Sequence, residues 1–193
     1  MKILLKFASL VSWMGHPLFT SALMITLISL KRYQFKEACV IVAILVFGVI
    51  VPANLYTFLK VRKGSFRDFD VSNGKERLYF YVAIIILMSM GTGMLLYYLP
   101  NTAIASGSVL TVLLFITAFF INRFIKVSLH VSLTIYFSFI IGQFYPDLYL
   151  VLFVLTMLIA WSRLFLKRHT SKEIMVGTLV GIIYATILNY IIK

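Results

Sequence analysis

His169 and Glu173 stand four residues apart in the run WSRLFLKRHTSKE (Trp161–Glu173), with Arg163, Lys167, Arg168 and Lys172 close by. Histidine can act near neutral pH as nucleophile, acid or base. If a helix starts near Thr170, residues four apart share a face. Glu173 can then hold the imidazole N–H and set its tautomer, as the aspartate does in a Ser-His-Asp triad. Thr170-Ser171-Lys172-Glu173 also has the form of a capping box, in which the glutamate bonds backbone instead. Spacing alone leaves both readings open. A second histidine, His130, follows Lys126 and Ser128 in NRFIKVSLHVS (122–132), and a third polar cluster, DFDVSNGKERL (68–78), contains Arg77. Imidazoles flanked by cations point to chemistry on an anion. In the third cluster, Asp68 and Asp70 are expected to pair with Arg67 or Arg77 rather than bind a cation. His16, in GHP, is expected to cap backbone freed by Pro17.

The elements that must carry these groups are apolar. Of 193 residues, 62% are hydrophobic and only 12% are charged, against about 25% charged in soluble domains. That leaves too little polar surface to cover a soluble core, so the composition implies an integral membrane protein with an all-α fold. A spanning helix needs about 20 apolar residues. Seven candidate spans result, at 8–30, 38–59, 78–99, 103–122, 128–143, 147–162 and 173–192, and six if 103–122 or a short half does not fully cross. The last two before the final span come from dividing the run 127–161, too long for one crossing, at Pro146. One domain is expected. The N-terminal apolar run is too long for a signal peptide and reads as a retained first span. Cys39, the single cysteine, excludes an internal disulfide and reads as a packed thiol.

Alternating the spans places all three polar clusters on one side. Of the eighteen Lys and Arg residues, Lys31, Arg32, Lys36 and Lys193 fall on the other side, and the remaining fourteen share the side of the clusters. The positive-inside rule makes that side cytoplasmic. The net charge of +12 then reflects membrane-surface loops and an anionic substrate rather than nucleic acid.

Ser162-Arg163-x5-His169-x3-Glu173 resembles the third signature of the type 2 phosphatidic-acid phosphatase superfamily, S-R-x5-H-x3-D, with Glu for Asp. Ser128-Leu129-His130 resembles the second, P-S-G-H, with Val127 and Leu129 replacing Pro and Gly; KVSLH (126–130) is closer to the K-I-S-x-H of a divergent branch. Arg77 aligns with the Arg of the first signature, K-x6-R-P, but Leu78 replaces Pro and Asp70 stands where Lys belongs. Two spans lie between the first and second signatures, where the lipid phosphatases usually have one loop.

The resemblance covers roughly 60–190. It implies a bacterial inner-membrane phosphatase acting on a lipid phosphate or diphosphate, with membrane lipids around it and neither metal nor cofactor. His169 would be the nucleophile, Glu173 its orienter and His130 the acid and base. Arg77, Lys126, Arg163, Ser128 and Ser162 would bind the phosphate. The alternatives are a lipid phosphotransferase and a non-catalytic lipid-phosphate carrier. A nucleophilic histidine backed by three cations suits phosphoryl transfer, which depends mostly on positioning and positive charge.

Overall fold

The computed structural model describes residues 2–192. Among them the chain is helical, with no strand: α1 (Lys2–Met14), α2 (Pro17–Arg32), α3 (Phe35–Arg62), α4 (Gly74–Tyr98), α5 (Ala103–Ile121), α6 (Leu129–Phe144), α7 (Tyr149–Phe165) and α8 (Ser171–Ile191). A 3-10 turn, Pro146–Leu148, leads into α7. Five helical stretches are long and apolar enough to cross a membrane: α3, α4, α5, Pro146–Phe165 and α8. The count is six if α1 and α2 form one broken span.

Two expected spans take a different form. The stretch 8–30 is not one helix, because α1 and α2 meet at a 50° bend. Pro17 has no N–H to continue α1, and His16 starts α2 by accepting from Phe19 and Thr20 on its carbonyl and from the Leu18 N–H on Nδ1 (3.4 Å). The capping expected of His16 is therefore present. The expected span 128–143 appears as α6, whose 16 residues reach only about 24 Å against a hydrocarbon core of about 30 Å. Twelve of those residues are buried, so α6 is wrapped by protein along most of its length. The break at Pro146 occurs where the sequence placed it.

The chain clusters into two compact units, Met1–Met24 with Phe120–Lys193, and Ile25–Phe119. In the second, α3 contains a wide π-helical stretch, Ala43–Ile50, in which the Val51 N–H reaches the Val46 carbonyl. Pro52 follows directly and lacks the donor that a regular turn would send back to Gly48. Buried Tyr81 of α4 lies edge-on to Phe115 and Phe119 of α5. Cys39, expected as a packed thiol, is exposed; Ala38 and Ile41 take the inward positions of α3, and Cys39 lies on its outer face.

In the first unit α6 runs beside α8 and α7, and α7 also carries α1. Gly177 and Gly181 of α8 abut Ser128, the N-cap of α6, and Ser132 within it, and Gln143 donates to Asn189 farther along (2.8 Å). This register makes α6 and α8 parallel. Small residues at four-residue spacing on both helices allow the close approach, and the Ser132 hydroxyl binds the Gly177 carbonyl (2.8 Å).

Candidate functional site

The parallel register sets the height of each group. Gly177 is level with Ser128, the residue that precedes α6. Six residues separate Ser171 from Gly177, about 9 Å of helix. The start of α8 therefore projects beyond the start of α6, and the two termini are tied together by Lys126 Nζ donating to the Arg168 carbonyl (2.9 Å).

The chain reaches α8 from α7 through a tight reversal. Lys167 donates to Leu164 and Arg168 to Arg163, with Lys167 in the left-handed region at φ 54°. This is the hydrogen-bond pattern of a Schellman motif, which usually has glycine at that position. The His169 N–H also reaches the Arg163 carbonyl (3.3 Å). The reversal brings the His169 backbone back to the end of α7, six positions after Arg163 in the sequence.

His169 Nδ1 lies 2.9 Å from Glu173 Oε2. The same oxygen accepts from the Thr170 N–H (3.1 Å), while the Thr170 hydroxyl accepts from the Glu173 N–H. The two readings of Glu173 therefore hold together: it closes the capping box and engages the imidazole. Nδ1 is thus the ring nitrogen that faces the carboxylate. His169 and Glu173 line a cleft of about 340 Å³ together with Lys126, Lys167, Arg168 and Thr170.

Behind it lie two buried groups. His130, 6% exposed, sits in the first turn of α6, within electrostatic range of Arg163, His16, His169 and Lys126. Arg163, 2% exposed, donates through Nη1 to the Ser12 hydroxyl (2.7 Å). Ser128 is fully buried, and its hydroxyl finds no hydrogen-bond partner among the described residues. Most buried polar groups are hydrogen-bonded, so this hydroxyl is an exception. Ser162, also expected to bind substrate, is buried and donates to the Ile159 carbonyl of its own helix (2.8 Å).

His130, His169, Glu173, Lys126, Ser128, Ser162 and Arg163 thus share the first unit. Arg77 belongs to the second, where its guanidinium donates to the carbonyls of Val71 (3.3 Å) and Ser72 (2.9 Å). Asp68 accepts from the Ser72 hydroxyl and N–H, and Glu76 accepts from the Arg67 N–H. These bonds fold the 63–73 loop back onto the start of α4. Lys193, assigned by charge to the opposite side, lies outside the described residues.

Sequence reasoning passed over Ser12 as a site residue and took His16 only for a cap. The ring of His16 lies edge-to-face with His130, centroids 5.3 Å apart. The four-residue spacing of Ser12 and His16 at the end of an apolar run was the available signal. Comparison with family models, characterised proteins and solved structures finds no match to this chain.

Proposed function

We propose that the chain is a polytopic membrane enzyme of the bacterial inner membrane that hydrolyses a lipid phosphate or diphosphate through a phosphohistidine. The observation that carries this reading is the His169–Glu173 contact of 2.9 Å at the edge of a cleft lined with Lys126, Lys167 and Arg168. In the first step His169 Nε2 attacks phosphorus. The new P–N bond forms as the P–O bond to the lipid breaks, and the lipid oxygen takes a proton from His130. In the second step water attacks the phosphohistidine, gives a proton back to His130, and inorganic phosphate leaves with His169 restored. Glu173 holds Nδ1 throughout and stabilises the charge that develops on the ring.

Lys126 and Arg163 supply positive charge for the phosphoryl oxygens, and Ser128 supplies a hydrogen bond. A unit charge pair at 4 Å is worth about 4 kcal/mol at an effective dielectric of 20, so this chemistry can run on side-chain cations without a resident metal. The sequence resemblance assigns Arg77 to the phosphate too. Its guanidinium is engaged with the loop before α4, and the proposal rests on Lys126 and Arg163. The cluster-bearing side, on the charge distribution, faces the cytoplasm.

The test is phosphate release by purified protein in detergent, without added metal. The panel contains polyprenyl phosphate and diphosphate, phosphatidic acid, phosphatidylglycerol phosphate and lipid A. Release from at least one, abolished by His169→Ala, is expected. No release from any would refute a hydrolase. Transfer of the phosphoryl group to an added lipid alcohol in place of water would identify a phosphotransferase.

A further inference from the structure

The bend between α1 and α2 faces the two buried groups on which the proposed chemistry depends. Ser12 and His16 are four residues apart, Ser12 within α1 and His16 just past its end. Ser12 Oγ accepts the 2.7 Å hydrogen bond from Arg163, and the His16 ring meets His130 at 5.3 Å with an interplanar angle of 84°. Gly15, between them, is pressed against α7, since a Cβ there would lie 2.5 Å from the Ile159 side chain. Phe7 and Trp161 add a ring contact (6.0 Å) farther along the same helix pair.

We propose that the end of α1 is a positioning wall of the site, in which Ser12 fixes the Arg163 guanidinium and His16 fixes the His130 ring. The inference rests on the phosphatase reading for its kinetic arm, but not for its anion-binding arm.

The physical case has three parts. Arg163 is almost fully buried, and a buried guanidinium needs its donors directed. A hydroxyl oxygen takes one of them and thereby sets the plane in which the others point. His16 Nδ1 accepts from the Leu18 N–H, so in its neutral form its proton is on Nε2. Its ring is thus tied to the α1–α2 break, and a tethered aromatic edge holds a neighbouring ring at one angle. The kink itself is what the arrangement requires. An unbroken helix through Pro17 would leave the His16 backbone and ring in a different place, because the carbonyl of His16 now starts α2 instead of following on from α1.

The experiment uses full-length protein in detergent. Inorganic phosphate binding is measured by calorimetry, and kcat and KM on a polyprenyl monophosphate and diphosphate. Ser12→Ala should weaken phosphate binding about tenfold or more, the usual size of one hydrogen bond to a charged group, and raise KM on both substrates. Ser12→Thr, which keeps the hydroxyl, should stay within about twofold of wild type. His16→Asn preserves a capping oxygen for α2 but removes the imidazole. It should lower kcat on the monophosphate by about tenfold and less on the diphosphate, the bias expected for general acid catalysis through His130, while leaving KM in place.

Wild-type phosphate affinity in Ser12→Ala would overturn the Ser12 assignment. Equal kcat losses on both substrates in His16→Asn would reduce His16 to a structural cap and overturn its part. Wild-type protein that binds phosphate but releases none from lipids would end the phosphatase reading, while Ser12→Ala still decides the binding arm. Wild-type protein that does neither would remove both.

Discussion

Gly181→Ala tests the contact that sets the height of the site. The added methyl would lie 2.7 Å from the Ser132 carbonyl oxygen and 3.1 Å from Ser132 Cα and Ile135 Cβ. At Gly177 it would lie 2.8 Å from the Ser128 carbonyl oxygen. Favourable non-bonded contacts begin near about 3.5 Å, so the helices must separate by roughly half an ångström or more. The closest obstructing atoms are backbone, which no rotamer change can move aside. Overpacking of this kind costs about 1–3 kcal/mol, offset by about 1 kcal/mol from replacing a helical glycine with alanine. The net expectation is up to about 2 kcal/mol of destabilisation. Because His169 lies just before α8 and is held by Glu173 of that helix, and α6 carries His130, the same shift should lower turnover by about tenfold or more, given that a 1 Å misplacement costs about 10². One outward movement accommodates both methyl groups, so Gly177→Ala/Gly181→Ala should lose clearly less than the sum of the single variants. Thermal unfolding in detergent and phosphate release measure the two effects. Gly93→Ala is the control, since a Cβ at Gly93 meets nothing within 4 Å. If Gly181→Ala is as stable and as active as Gly93→Ala, or the two losses simply add, the close α6–α8 contact is not what positions the site.

The remaining expectations concern chemistry and orientation. His169→Ala should abolish turnover and the acid-labile phosphoenzyme seen on rapid quench; an active variant ends the phosphohistidine mechanism. His130→Ala should cost about 10²–10⁴ on a monoester, the usual range for general acid catalysis, and less on a diphosphate, whose leaving group needs less protonation. Glu173→Gln should unfold near the wild-type temperature, because glutamine also closes a capping box, yet lose turnover with the carboxylate charge. Glu173→Ala should lose, in addition, about 1 kcal/mol of stability, and a fully active Glu173→Gln would leave Glu173 only its cap. In a Cys39→Ala background, an impermeant thiol reagent applied to intact cells should label Thr102→Cys and not Ser65→Cys; the reverse pattern would place the site outside.

What the sequence made readable follows from what carries a local signature. Pro146 and the apolar runs are local, and from residue 35 onward the helices lie within a few residues of where they were expected. The His169–Glu173 pair was readable because four-residue spacing on a helix already fixes proximity. Its double engagement was not, since a carboxylate oxygen can accept more than one donor and spacing offers no way to choose between them. The α1–α2 bend was underestimated. Pro17 was visible, but hydropathy averages across a kink. The Gly177-x3-Gly181 spacing was present and went unused, although small residues at that spacing mark close helix contacts. Ser12 and Ser162 show the real limit. Each is a serine in an apolar helix, and nothing local distinguishes the one that receives an arginine 151 positions away from the one that bonds its own backbone.

The electrostatics of the cleft explain why it suits an anion although it contains a carboxylate. The parallel helices α6 and α8 both direct their N-terminal, partially positive ends toward it. α7 runs the other way and brings a negative C-terminal end, but Arg163 lies in its last turn, where a cation offsets that charge. Glu173 is the one acidic group among the residues lining the cleft, and its Oε2 already meets the Thr170 N–H and the His169 ring. That oxygen is directed at its own helix end and at the imidazole rather than at the open space. Lys126 sends Nζ to the Arg168 carbonyl, which keeps its ammonium at the start of α6 and at the cleft. Glutamate at this position has a local reason. At the third helical position the extra methylene lets one carboxylate reach back to the Thr170 N–H and still meet His169 Nδ1, a span for which the capping box selects Glu or Gln.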